Sequence, residues 1–244
     1  MHYKESKEKS NKLLKNHTEI NIYEIKNIQI PKELNETYRL FFEKLTEFEG
    51  RKPTNQNYLS IIVDSYIQGL ILEELLTEEL LKEEFIKQEK EKSKWEIIDI
   101  GTGLGIPSIP IILYLKKTKK EIEFYLMEPK QKKVKFLENI KKEFNLEFEI
   151  INSDEKSFYS KNRKKFDVVF CRAVFTPPKI FDIFKKFSKN LSFWQYSNSY
   201  EEILKKYHNK IKQNNLEIYK IFKYTLISTH FTIVFKNKYL QDAN

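Results

Sequence analysis

Asp99, Gly101, Gly103 and Gly105 alternate along the stretch IIDIGTGLGIPSIP, residues 97–110, which holds three of the chain's five glycines. Glycine accepts positive φ and lets another group come against the backbone. A carboxylate followed by three spaced glycines therefore reads as a place where a ligand lies along the main chain beside an acid. Two phosphate-binding patterns do not fit. A dinucleotide turn, G-x-G-x-x-G, needs its third glycine at position 106, which is Ile106. A P-loop needs Lys and then Ser or Thr directly after its last glycine, and that pair is missing.

The elements around the glycines are legible. WEIIDI is a short apolar strand that ends at Ile100, just before the turn. PSIPIILYLKK is a helix with Pro107 and Pro110 in its first turn, where N–H groups lack intrahelical partners anyway. EIEFYLME is a second strand, KQKKVKFLENIKKEF a helix with Leu137, Ile140 and Phe144 on one face, LEFEII a third strand and FDVVFC a fourth. PPKIFDIFKKFSKN is a helix, LSFWQY a strand, and SYEEILKKYHNKI a helix with Ser199 and Glu202 spaced as a capping box. LEIYKIFKYTL and HFTIVFK form a final antiparallel pair. Upstream, Pro31 and Gly50 bracket one helix, RKPTNQN is a loop, and two helices follow near 57–75 and 77–92. Residues 1 to about 20 are polar and read as frayed or loosely helical. The expected boundary is a helical segment over 1–94, then an α/β domain over 95–244. In such a domain, ligands bind beyond the carboxyl ends of the parallel strands.

Composition narrows the class. No apolar run free of charge and prolines is long enough to span a bilayer, and the N-terminus lacks a signal-peptide core. Cys171 is the only cysteine, which excludes an internal disulfide and a cysteine-built zinc site and points to the cytoplasm. The net charge is +9, from 44 basic and 35 acidic residues, and attracts polyanions such as RNA. Only Arg39, Arg51, Arg163 and Arg172 are arginines, so the lysine excess is equally readable as biased composition. Lys130, Lys132, Lys133 and Lys135 crowd one helix start, where cations oppose the helix dipole. They read as phosphate contacts or as a solvated face, and Lys132, Lys133 and Lys135 are expected to leave the helix away from the glycine turn. His2, His17, His208 and His230 are scattered and read as surface or packing residues.

The D-x-G-x-G-x-G run after a strand resembles motif I of the class I S-adenosylmethionine-dependent methyltransferases. That resemblance implies a cofactor built from a nucleoside and an amino-acid tail, with no phosphate and hence no need of a lysine. An acidic group, Asp99, suits the cationic amino end. Glu128, in YLMEP at the end of the second strand, would accept hydrogen bonds from the ribose; alone, it is also readable as a surface carboxylate.

The wording is closer still to one family. IIDIGTGLGIPSIPI, EPKQKKVKFLENIKKEFNL and FDVVFCRAV resemble the small-subunit ribosomal RNA guanine-N7 methyltransferases, also called the glucose-inhibited division protein B family, over residues 95 to about 175. The resemblance implies a Rossmann-like methyltransferase sandwich, mostly parallel with an antiparallel final pair, plus a helical N-terminal extension. It implies S-adenosylmethionine as cofactor and the small-subunit rRNA or 30S particle as partner of a cytoplasmic monomer, without a membrane. Gly101, Gly103, Gly105 and Ile106 would line the cofactor, and Asp154, Glu155 and Lys156 lie in the adenine-contact loop. Arg172 matches the arginine of the family's S-R-A motif and would act at the cofactor or guanine site; a salt-bridge arginine is the plainer alternative. Val63 to Ser65 echo the family's D-S-L. The chain departs from the pattern at Cys171 for Ser, at D-E-K for R-x-E, at Gln195 and Tyr196 for K-G, at His230 for an arginine, and at Ile61 for a histidine. A methyltransferase of small molecules or proteins, and a non-catalytic cofactor- and RNA-binding protein, remain as rival readings.

Overall fold

The computed structural model describes residues 22–86, 94–116, 122–172, 174–196 and 200–238. The polar N-terminal segment, residues 87–92 of the expected second helix and the cap at Ser199 lie outside them. Two compact units are formed, one by residues 29–158 and one by residues 1–28 with 159–244.

In the unit of residues 29–158, α1 (Lys32–Phe48) buries Leu34, Tyr38, Phe41, Phe42 and Leu45, a 3.6-residue stripe. Gly50 ends it at φ 65°. The Tyr38 hydroxyl donates to the Pro110 carbonyl at 2.8 Å. Burial, with Tyr66 and Tyr58 nearby, pushes its phenol far above the ordinary range. The two helices expected near 57–75 and 77–92 are instead one run: α2 (Asn55–Tyr58), a π-helical turn (Leu59–Val63) and α3 (Asp64–Ile86). Nothing around Leu76 breaks a helix, and the Thr77 hydroxyl bonds back to the Glu73 carbonyl without interrupting it. Asp64 and Ser65, the D-S echo, are fully buried just after the π turn.

The strands of this unit are β2 (Trp95–Ile100), β3 (Ile122–Met127) and β4 (Glu149–Ile151), paired in parallel in the order β2-β3-β4. β2 is buried at every position but Glu96, which explains why apolar residues lie on both of its faces. Helix α4 (Ser108–Leu115) follows the glycine turn. Helix α5 (Gln131–Glu143) buries Val134, Phe136, Leu137 and Ile140. The stretch SDEKSF, expected as a loop, opens α6 (Glu155–Asn162).

The other unit holds β5 (Phe166–Cys171), α7 (Pro177–Phe187), β6 (Ser188–Tyr196), α8 (Tyr200–Gln213), β7 (Leu216–Thr225) and β8 (Thr229–Asn237). With β1 (Ile22–Ile25), its strand order is β1-β7-β8-β6-β5. β5 and β6 are parallel, and β8 runs antiparallel to both β6 and β7. The expected mostly parallel sheet with an antiparallel final pair is present. β1 (Ile22–Ile25) was not expected: it pairs in parallel with β7, Ile22 opposite Ile221, and Tyr23 stacks on Phe222 at 5.4 Å. Among the described residues no helix is long and apolar enough to cross a membrane.

Candidate cofactor site

The sheet ladder runs on into the glycine turn. Ile100 pairs with Met127, and the Met127 carbonyl then accepts from both Gly101 N–H (2.9 Å) and Thr102 N–H (3.1 Å). Gly101, Gly103 and Gly105 all have positive φ, 74°, 64° and 83°. The Thr102 carbonyl accepts from Gly105 and Ile106, and the Gly105 carbonyl accepts from Ile109 at 2.7 Å, so the turn winds directly into α4.

The glycines serve different ends. A Cβ on Gly105 would stand 2.3 Å from Ile109 Cγ1 and 3.1 Å from Leu137 Cδ2, so this position is closed by the protein's own packing. A Cβ on Gly103 would meet within 4 Å only Lys133 Nζ, at 3.6 Å. Open space lies there, as a ligand-facing glycine requires.

Glu128 follows β3 and is 3% exposed. Its Oε2 accepts from Gly103 N–H at 3.0 Å and its Oε1 from Lys130 N–H at 2.9 Å. One buried carboxylate thus latches the glycine turn to the start of α5. Its negative charge also favours that helix N-terminus, offsetting the lysines crowded there. A carboxylate offers about four acceptor positions, so two backbone bonds leave capacity for a diol.

Asp99 is 1% exposed and accepts from the Ser108 hydroxyl at 2.8 Å. It ties the end of β2 to the first residue of α4. Asp154 is the cap of α6: Oδ1 accepts from the N–H groups of Lys156 (3.0 Å) and Ser157 (2.9 Å), and Oδ2 from the Ser157 hydroxyl. The Ser157 bonds hold its carboxyl below the ordinary range. Glu155 begins the helix half-buried and Lys156 is exposed. Ile106 is half-buried in the turn. Asp99, Gly101, Gly103, Gly105, Ile106 and Glu128 are thus brought together at the carboxyl ends of β2 and β3, and residues 154–156 follow β4.

Three participants, Ser108, Asn152 and Thr102, had not been singled out, and Lys133 takes a different place from the one expected. Lys133 was expected to point away from the glycine turn. Its amine instead lies 3.9 Å from Glu128 Oε2, beside the space over Gly103, because position 133 flanks the buried Val134 and Leu137 stripe. Lys132 and Lys135 are exposed, Lys132 with its amine 5.1 Å from the Phe48 ring centre. Ser108 could have been found from its position at the helix start. Asn152 donates to the carbonyls of Glu128 (3.0 Å) and Pro129 (3.2 Å), joining the ends of β3 and β4. The Thr102 hydroxyl is buried in the turn without a hydrogen-bond partner among the described residues. A buried polar atom without a partner, the open face of Gly103 and the spare acceptor positions of Glu128 together fit a hydroxyl-bearing nucleoside.

In the second unit, Arg172 is half-buried directly after β5, at the carboxyl end of that strand. Gln195, where the family pattern carries a lysine, donates through Nε2 to the Tyr224 hydroxyl at 2.9 Å, and Tyr224 stacks on His230.

Comparison with known proteins agrees with this geometry. A Listeria monocytogenes structure provisionally classed as a class I S-adenosylmethionine-dependent methyltransferase superposes with a TM-score of 0.57 at 11% identity, covering 86% of this chain and 70% of that one. It has the same fold. A Mesomycoplasma hyopneumoniae ribosomal RNA small subunit methyltransferase G is 38% identical over 97 residues, 40% of this chain and 45% of that protein. The Thermotoga maritima protein of the same name is 28% identical over 141 residues, 56% of this chain and 57% of that protein. The matched stretches span about half the length of these curated relatives. The family model described as rRNA small subunit methyltransferase G (GidB) matches residues 55–225, well over half of the sequence, and the chain belongs to that family.

Proposed function

We propose that the protein transfers the methyl group of S-adenosylmethionine to N7 of a guanine in small-subunit (16S) ribosomal RNA. The observation that carries this is the Glu128 latch: a buried carboxylate holds the glycine turn by Gly103 N–H and keeps acceptor positions beside an open backbone. When bound, the cofactor supplies an electrophilic methyl on a sulfonium. Gly101, Gly103, Thr102 and Ile106 would line it, and Glu128 would take its ribose hydroxyls. Asp99 accepts from Ser108 and supports the turn, and its charge at the end of β2 would favour the cationic amino end. The Asp154 carboxylate is committed to capping α6, so adenine contacts fall to Glu155, Lys156 and the backbone there.

Guanine N7 carries an in-plane lone pair, so no general base is needed and the work is positioning. Arg172 is assigned to the cofactor or guanine site, as a cation beyond a strand's carboxyl end. The segment up to residue 94 is read as a helical extension of a cofactor domain running from residue 95. The protein is taken to act as a cytoplasmic monomer on the 30S particle. The test is calorimetric binding of S-adenosylmethionine, then methyl transfer to unmodified 30S subunits with mapping of the product base. Binding without transfer would leave the non-catalytic reading, and no binding at millimolar cofactor would remove the methyltransferase reading.

A further inference from the structure

A basic cleft lies at the other end of β5 from Arg172. Its volume is about 440 Å³, and it is lined by Tyr159, Arg163, Lys165, Lys185, Lys186 and Asn214, with Asp182. That volume falls in the range of about 300–1,000 Å³ typical of small-ligand sites. Arg163 and Lys165 precede the strand, and Arg172 follows its six residues. The two ends are therefore roughly 20 Å apart at about 3.3 Å per residue.

Two of the cations are held in place by one ring. The Arg163 guanidinium lies 4.7 Å from the Tyr159 ring centre and the Lys186 amine 5.7 Å, and Phe187 packs on the same ring at 5.4 Å. Arg163 is fixed further by its backbone: φ is 51°, and its N–H donates to the Tyr159 carbonyl at 3.2 Å. The acid of the cleft, Asp182, is paired with Lys210 at 3.1 Å. No ion pair of Arg163, Lys165, Lys185 or Lys186 is found among the described residues.

Helix ends alone do not account for this charge. α6, α7 and α8 all finish beside the cleft, and basic residues are favoured at helix C-termini. Three C-termini supply roughly −0.5 charge each, about −1.5 together, against four cations. The excess is positive and preorganised, and Tyr159 is already covered by its neighbours, which leaves charge rather than base stacking as the means of recognition.

We propose that this cleft is a second RNA contact, a clamp for the phosphodiester backbone of the substrate rRNA away from the strand end that carries Arg172. The proposal rests on the rRNA reading above. Arg163 offers the planar fork that matches phosphate oxygens bidentately, and the lysines add point charges.

The test compares the full-length protein with the variant Arg163→Gln/Lys165→Gln/Lys185→Gln/Lys186→Gln. Binding of 16S rRNA is measured from 50 to 200 mM salt, with S-adenosylhomocysteine affinity and melting temperature as controls. Each phosphate contact contributes about 0.9 to the slope of log affinity against log salt, so four contacts make about 3.6, or roughly 150-fold over a fourfold salt change. The variant should lose that salt-dependent part, with cofactor affinity and melting temperature retained. A companion with Lys165→Arg, Lys185→Arg and Lys186→Arg should keep the parent slope. An unchanged slope in the neutral variant overturns the clamp, while parental methylation of 30S subunits would leave the main reading standing. Loss of polyglutamate binding with RNA binding intact would also overturn it, pointing to an acidic protein. A parent that binds cofactor but no RNA would remove both RNA readings.

Discussion

Replacing Glu128 by Gln keeps the side chain's shape and removes its charge. In the native chain the two carboxylate oxygens accept from two backbone amides, Gly103 at 3.0 Å and Lys130 at 2.9 Å. Neither amide can reorient, since one lies in the glycine turn and the other at the cap of α5. A carboxamide accepts from one of them and turns its NH₂ group toward the other. The loss is one hydrogen bond to a charged acceptor, about 1.5–3 kcal/mol, in a position only 3% exposed. The Lys133 amine at 3.9 Å loses a counter-charge, but its side chain is 35% exposed and the term is small. For chains of this size each kcal/mol moves the melting temperature by about 2–4 °C, so Glu128→Gln should lower it by about 3–12 °C. Affinity for S-adenosylhomocysteine should fall by about tenfold or more, since hydrogen bonds to a charged acceptor are worth at least about 1.5 kcal/mol. Scanning calorimetry and isothermal titration of parent and variant read both effects. A melting temperature unchanged within about 1 °C would refute the latch. A lowered melting temperature with unchanged cofactor affinity would leave Glu128 as a brace for the turn alone.

The neighbouring positions separate packing from binding. Gly105→Ala should destabilise by overpacking against Ile109, about 1–3 kcal/mol, plus about 1–2 kcal/mol for a left-handed backbone, read as a lower urea midpoint. Gly103→Ala carries only the left-handed cost of about 1–2 kcal/mol and should fold, yet lose cofactor affinity in titration calorimetry. Ser108→Ala removes the donor to buried Asp99 and should cost about 1–3 kcal/mol in denaturant unfolding. Asp154 has a lowered carboxyl pKa in the folded chain, so its cap contributes stability above its ordinary value of 3.8. The stability gap between parent and Asp154→Asn should therefore be full at neutral pH. It should close as pH falls from that value through the lowered one, and a gap independent of pH would refute the assignment.

The frame of the site was legible because its signals are local. A strand ending at Ile100, glycines needing positive φ and an acid after the next strand can each be read from neighbours in sequence. Partners set by the fold could not be read in this way. Lys133 differs from Lys132 and Lys135 only in its angle around α5, and a one-residue step on a helix decides whether an amine faces Glu128 or solvent. The resemblance puts Asp154 in an adenine-contact loop, and its neighbours in SDEKSF do not announce that it is also the Asx cap of α6, which the Ser three positions on completes. β1 is four residues long and gains its place only by pairing with β7, nearly two hundred positions away in sequence. The π turn at Leu59–Val63 has no Gly or Pro to announce it. It adds a residue to one turn just before Asp64 and Ser65, which are fully buried directly after it. Because this helical run belongs to the same compact unit as the glycine turn, a change at Asp64 should be read first in the stability of that unit and only then in cofactor affinity.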